Sequence, residues 1–91
     1  MEITYDTTKD EANIAKHGVS LAEAENFDWR NAQFTIDSRQ DYGEARTVAV
    51  GNLRNCLHVL VYTQRKGEFR IISLRKANER ERRRYEQKKE I

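Results

Sequence analysis

The 91-residue sequence contains no proline, only one cysteine, and no run of about 18 apolar residues. The lone Cys56 cannot form an internal disulfide, which fits a reducing compartment. We interpret it as a small hydrophobic residue of a strand, not as a catalytic thiol. With no apolar span, signal-peptide core or amphipathic transit segment, the sequence predicts a cytoplasmic protein that does not associate with membranes.

The sequence also lacks the usual signatures of metal and nucleotide sites. Its two histidines, His17 and His58, stand 41 positions apart, which is none of the spacings expected for zinc. There is no glycine-rich phosphate loop and no Gly-x-Ser-x-Gly nucleophile turn. The sequence therefore predicts no metal and no cofactor, and it leaves acid–base chemistry with electrostatic stabilisation.

Charge is abundant and unevenly placed. Charged residues make up 35% of the chain, yet the net charge is only +2. Residues 75–91 carry a net charge of +4, whereas residues 1–74 carry −2. This asymmetry favours contact between the basic end and a polyanion or an acidic protein. A solvated charged helix is the alternative interpretation.

The first part of the chain predicts a strand at residues 3–5 followed by two helices. Thr7 or Thr8 can cap the first helix, and Gly18 can end it because glycine accepts the left-handed conformation. The segment Ser20–Glu23 has a capping-box pattern, which predicts the start of the second helix.

The remainder predicts four strands and a final helix. Residues 39–43 read as a polar loop, and Leu57–Thr63 alternates two faces, with Leu57, Val59 and Val61 on one of them. A second capping-box pattern, Asn78–Glu81, opens the last helix, which is so polar that we expect only its first turns and Tyr85 to dock. The predicted strands lie near residues 34–37, 46–50, 57–63 and 69–74. We predict a single α+β domain over residues 1–91, in the order β-α-α-β-β-β-β-α, with an antiparallel sheet and helices on one face.

Histidine and glutamate supply the candidates for proton transfer. His17 stands at the C-terminal end of the first helix, where the helix dipole favours its protonated form, so it can shuttle protons or simply satisfy the last helical carbonyls. Glu44 and Arg46 share one face of a predicted strand, as a base with a phosphate clamp or as a surface ion pair. We interpret His58 as structural or exposed.

Several arginines are candidates for binding phosphate. Arg70 and Arg75 bracket the last predicted strand, and guanidinium groups suit bidentate phosphate contacts and the charge of a phosphoryl-transfer transition state. Tyr85 can hydrogen-bond a phosphate, stack on a base or anchor the last helix.

Three motifs give the chain a family resemblance. They are Lys16-His17-Gly18-Val19-Ser20, Tyr42-Gly43-Glu44-x-Arg46 and Arg70-Ile71-Ile72-Ser73-x-Arg75-x-Ala77-Asn78. With matching positions between about residues 5 and 85, the chain resembles the BrnT family, toxins of type II toxin–antitoxin systems.

The resemblance implies a RelE-like fold and a metal-independent endoribonuclease that arrests translation. The expected reaction is attack of a ribose 2′-hydroxyl on the adjacent phosphate, giving a 2′,3′-cyclic phosphate and a 5′-hydroxyl. The predicted catalytic set is His17, Glu44, Arg46, Arg70, Arg75 and Tyr85. The predicted RNA-binding set is Lys16, Arg65, Lys66 and Lys76.

The resemblance also implies a protein partner. This would be a BrnA-like antitoxin with a ribbon-helix-helix DNA-binding domain, which neutralises the toxin and carries it to operator DNA, so that the complex represses its own operon. We predict that the antitoxin contacts Arg80, Arg83 and Arg84. Two alternatives remain: a catalytically silent co-repressor that only binds the antitoxin, and a simple nucleic-acid-binding module.

Overall fold

The computed structural model describes residues 2–37 and 44–89, and its element order matches the sequence prediction. The predicted loop at 39–43, with Tyr42 and Gly43, lies outside the described residues. The elements are β1 (Glu2–Thr4), α1 (Thr7–His17), a 3₁₀ helix (Leu21–Asn26), β2 (Gln33–Asp37), β3 (Arg46–Leu53), β4 (Cys56–Arg65), β5 (Glu68–Lys76) and α2 (Glu79–Lys89). Neither described α-helix is both long and apolar enough to cross a membrane.

Five strands form one mixed sheet in the order β1-β5-β4-β3-β2. Strands β2 to β5 pair antiparallel, as predicted, through successive hairpins. The prediction of a wholly antiparallel sheet is wrong for β1, which pairs in parallel with β5. A parallel pair needs a long crossover between its strands, and local turn signals do not reveal which strand closes it. The α+β class is confirmed.

Helix α1 is held by its caps and by one buried amide. Its N-cap is Asp6, not Thr7 or Thr8, and the carboxylate accepts a hydrogen bond of 3.1 Å from the Lys9 backbone N–H. Gly18 ends the helix at φ 74°, as predicted. The buried Asn13 donates bonds of 2.8 Å to the carbonyls of Val19 and Leu74, and it accepts one of 3.3 Å from the Leu74 N–H. Asn13 thereby fastens α1 to β5.

The hydrophobic core lies between the sheet and the segment from the 3₁₀ helix to Trp29. Ser20 caps the 3₁₀ helix, as predicted, by accepting a 3.1 Å bond from the Ala22 N–H. The Trp29 ring fills a partly buried position against the core, and its Nε1 donates 2.9 Å to the Ala24 carbonyl. The buried core residues are Leu21, Ala24, Phe27, Ala49, Leu53, Leu60, Tyr62, Ile71 and Leu74.

Helix α2 packs on the other face of the sheet, so the prediction of helices on a single face is wrong. Tyr85 is 4% exposed and lies over Val48 and Val50, which alternate with the core-facing Ala49. Gln33 donates a 2.9 Å hydrogen bond to the Tyr85 carbonyl. Tyr85 is thus the buried aromatic anchor of an otherwise polar helix, and the polarity of the sequence alone could not indicate on which face of the sheet the helix packs.

Candidate active site

A row of polar side chains crosses the sheet on the face that carries α2. Asp37 pairs with Arg46 across β2 and β3, and Thr63 pairs with Arg70 across β4 and β5. Since Thr47 pairs with Tyr62, Arg46 lies opposite Thr63. Directly opposed residues point to the same side of a sheet, so the four side chains form one continuous row.

Two further polar side chains follow along β5 on the same face. Ser73 pairs with Val61 and Arg75 pairs with Val59. The partners of Arg70 and Arg75, Thr63 and Val59, stand four positions apart on β4, which corresponds to about 13 Å along the strand. We call the set Arg46, Thr63, Arg70, Ser73 and Arg75 the arginine face.

Glu44 borders the arginine face at the end of the β4–β5 hairpin. The Arg65 guanidinium donates two hydrogen bonds to its carboxylate, at 2.9 and 2.8 Å. The Arg65 hydrogen bond, and then the charges of Arg65, Arg46 and Arg70, lower the pKa of Glu44, while partial burial opposes the shift. Glu44 is therefore ionised at neutral pH, and it lies close enough to Arg46 and Arg70 to interact with their charges.

Arg75 is held by the first turn of α2. Its two terminal nitrogens donate bonds of 2.9 and 2.8 Å to the Glu81 carboxylate, and one also donates 3.1 Å to the Lys76 carbonyl. Glu81 also completes the predicted capping box, with two reciprocal 2.8 Å bonds to Asn78. The bond from Arg75 is the largest cause of the lowered pKa of Glu81. Arg75, Glu81 and Arg84 line a cleft of about 420 Å³ to which Ser73 also contributes.

His17 lies beside the edge of β5 that β1 leaves uncovered. It lines one cleft with Lys16, Ile72 and Ser73, and another with His58 and Lys76. Glu44 lies instead beside Arg65, whose partner on β5 is Glu68. Glu68 and Ser73 stand five positions apart on β5, which corresponds to about 16 Å. The structure therefore does not bring His17 and Glu44 together at one phosphate.

The comparison with known families decides what kind of protein carries this face. The model of the ribonuclease toxin, BrnT, of type II toxin–antitoxin system matches residues 5–81. The chain belongs to the BrnT family. No curated protein matches it. The whole arginine face of this BrnT-family ribonuclease toxin, together with Glu44 and Glu81, falls inside the matched segment.

Arg83, Arg84 and Tyr85 lie beyond the matched segment, whereas Arg80 lies inside it. The Tyr85 hydroxyl donates a 3.3 Å bond to the Asn31 carbonyl, and the ring is buried. Tyr85 therefore anchors α2 to the sheet, and its buried ring has no free face for stacking on a base. Arg80, Arg83 and Arg84 are exposed around one shallow cleft, with Arg83 bound to Glu79 at 2.9 Å.

The predicted RNA-binding residues fall at two places. Arg65 and Lys66 are exposed at the tip of the β4–β5 hairpin beside the arginine face. Lys16 and Lys76 lie near His17 at the other end of β5. His58 is buried, and its Nδ1 is 2.9 Å from the Cys56 carbonyl, which agrees with a structural interpretation.

Sequence reasoning missed Thr63 and Glu81 as members of the site. Thr63 continues the alternation that placed Val59 and Val61 on one face, so the signal for its direction was present. Glu81 had been interpreted only as a capping residue. Within the described ranges, no three His, Cys, Asp or Glu side chains are grouped as metal ligands would be.

Proposed function

We propose that this BrnT-family toxin cleaves RNA in the cytoplasm as a metal-independent endoribonuclease, with the RNA backbone lying across the arginine face. The observation that carries the proposal is the placement of Arg46, Arg70 and Arg75 on one face of the sheet. Guanidinium groups bind phosphate bidentately and keep their charge at every physiological pH. The spacing of these guanidinium groups across the sheet suits contact with several phosphates of one RNA strand.

The chemistry requires no group outside the polypeptide. The 2′-oxygen bonds to phosphorus as the bond to the 5′-oxygen breaks, and the arginines stabilise the charge that develops on the phosphate. Glu44 takes the 2′-hydroxyl proton, and water protonates the departing oxygen. The proton on Glu44 then neutralises the hydroxide that is left, which restores the carboxylate. The two bonds from Arg65 occupy only part of the acceptor capacity of the carboxylate, so Glu44 can still accept a proton.

His17 takes a different part in this proposal. Its position near Lys16 and Ser73 suits contact with a neighbouring phosphate of the same RNA strand. The pH dependence of cleavage separates the two residues. With Glu44 as base, cleavage stays constant down to pH values near the ordinary glutamate pKa, because the Glu44 pKa is lowered. A rate that instead falls at a pH well above the ordinary glutamate range would exclude Glu44 as the base and leave His17 as the remaining candidate.

Metal independence is supported by the pairing of the carboxylates at the arginine face with guanidinium groups, which occupy oxygens that a metal ion would need. Glu44 and Glu81 are each bound by two guanidinium nitrogens. The test is incubation of the purified toxin with RNA in excess EDTA, followed by analysis of the RNA ends. We expect undiminished cleavage and 2′,3′-cyclic phosphate ends. Loss of cleavage in EDTA that magnesium or zinc restores would overturn this proposal.

We further propose that a BrnA-like antitoxin with a ribbon-helix-helix domain covers α2 and the arginine face. The exposed Arg80, Arg83 and Arg84 offer an acidic partner three charges on one helix. Reversing all three charges to Glu should weaken the complex, most strongly at low salt, where exposed charges are least screened. Lys9→Glu, on α1, is the control variant and should bind normally. If the triple variant bound the antitoxin as tightly as the parent protein does, at low and at high salt alike, this interface would be excluded.

The same complex would repress its own operon, with the antitoxin making the DNA contacts. Gel shifts of operator DNA with antitoxin alone and with the complex measure this directly. We expect the toxin alone to leave the DNA unshifted and the complex to shift it. An operator bound by the toxin without antitoxin would favour the nucleic-acid-binding module instead.

A further inference from the structure

The hydroxyl of Thr63 is buried without a hydrogen-bond partner. Thr63 is 1% exposed, and its Oγ1 has no hydrogen-bond partner among residues 2–37 and 44–89. Most buried polar groups in proteins are paired, because an unmet one destabilises the fold. A valine at this position would fill the same space without that cost. The described residues therefore leave the hydrogen-bonding capacity of this hydroxyl unsatisfied, and a bound ligand would satisfy it.

The neighbours of Thr63 determine what that partner can be. Arg70 lies directly opposite on β5, and Arg46 lies opposite on β3. A guanidinium group has only N–H donors and no acceptor. The hydroxyl proton thus faces two groups that cannot accept it. An anion with several acceptor oxygens would accept from the hydroxyl and from both guanidinium groups at once.

We propose that Thr63 Oγ1 donates a hydrogen bond to a non-bridging oxygen of an RNA phosphate held between Arg46 and Arg70. The identity of the phosphate rests on the proposed ribonuclease function, whereas the anion site itself does not. Because Thr63 is 1% exposed in the free chain, this hydrogen bond requires neighbouring side chains to move aside when the anion binds. Thr63 is then a phosphate-binding residue at the centre of the row.

The test compares Thr63→Val with Thr63→Ser, and with Thr47→Val as the matched control. Thr47 is on the neighbouring strand but pairs with Tyr62, so it points to the core face. Inorganic phosphate is the first probe, with its dissociation constant measured from NMR shifts. RNA cleavage is the second probe, and the melting temperature is recorded for every variant.

We expect Thr63→Val to weaken phosphate binding and to lower kcat/KM for RNA by about 10-fold each, as for a lost hydrogen bond to a charged group. Its melting temperature should equal or exceed that of the wild type, because an unmet polar group has been removed. Thr63→Ser and Thr47→Val should bind and cleave normally. This combination of lost binding with retained stability would not arise from a purely structural threonine.

Three results would overturn the inference. One is wild-type phosphate binding by Thr63→Val, and another is a lowered melting temperature, which would make the hydroxyl structural. The third is equal RNA cleavage by the wild type and by Thr63→Val. That result overturns the role of Thr63 but leaves the ribonuclease proposal intact. If phosphate binding depends on Thr63 but the wild type cleaves no RNA, the anion site holds and the ribonuclease proposal fails.

Discussion

Replacing Arg75 by alanine tests the arginine face and has two effects that can be measured apart. The first is on cleavage. Removing one preorganised donor from a developing oxyanion typically costs about 2.7–4 kcal/mol, which corresponds to roughly 10²–10³ in rate. We expect a loss of at least about 10-fold, because Arg46 and Arg70 remain to hold the backbone.

The second effect is on stability. Arg75→Ala removes the two bonds to Glu81, whose carboxylate keeps its contacts with Asn78. The Arg75 side chain is 36% exposed and that of Glu81 is 23% exposed, so solvent screens the pair only in part. We expect a loss of about 1 kcal/mol, near the upper end for an ion pair of this exposure. For a domain of this size, that lowers the melting temperature by about 4–8 °C.

Glu81→Gln separates the two effects. Glutamine preserves the capping box but loses the ion pair, so this variant should lose similar stability while keeping Arg75 available for phosphate. The assay is single-turnover RNA cleavage well below either melting temperature, alongside thermal unfolding. Unchanged cleavage by Arg75→Ala would remove Arg75 from the site. An equal loss of cleavage in Glu81→Gln would show that Arg75 acts only through the position of α2.

Three further predictions concern the scaffold. Asn13→Ala leaves the backbone groups that it bonds unpaired and should cost about 2–3 kcal/mol in urea unfolding, whereas an unchanged midpoint would contradict its role as the link between α1 and β5. Gly51→Ala places a Cβ 2.9 Å from Phe27 Cζ and 3.0 Å from Ala32 Cβ, so it should destabilise the fold by about 1–3 kcal/mol through overpacking. The lowered pKa of Glu81 contributes stability that is present above its unfolded pKa of about 4.3 and is lost as the pH falls through the folded value. Glu81→Gln should therefore lose less stability than the wild type as the pH is lowered. Parallel plots of unfolding free energy against pH for the two proteins would refute this.

Local signals in the sequence were sufficient wherever neighbouring residues determine the structure. Gly18 ends α1 and Asn78 caps α2 as predicted, since caps depend on hydrogen bonds within a few residues. The alternation along β4 placed Val59 and Val61 on one face, and the structure confirms it. The prediction of Thr7 or Thr8 as the N-cap of α1 is wrong by one or two residues, because Asp6 and both threonines are good capping residues.

Non-local features were not readable in the same way. The parallel pairing of β1 with β5 joins distant parts of the chain, and α2 is placed by its contacts with the sheet, through Tyr85 and the Arg75–Glu81 pair. The separation of His17 from Glu44 follows from where α1 docks on β5, which the buried Asn13 determines. Residue types indicated the chemistry of the site, but only the sheet register showed that Thr63 lies between two arginines.

The most direct test of the central claim is an NMR titration with an RNA oligonucleotide whose 2′-hydroxyls are methylated, so that it binds without being cleaved. The account predicts that the largest backbone amide shifts fall on the arginine face, at Arg46, Thr63, Arg70 and Ser73. The amide signals of Glu23 and Arg54, which bind each other at the 3₁₀ helix, should stay in place. Shifts confined to the clefts around His17 and His58, or to the outer side of α2, would contradict the claim that RNA binds across the arginine face.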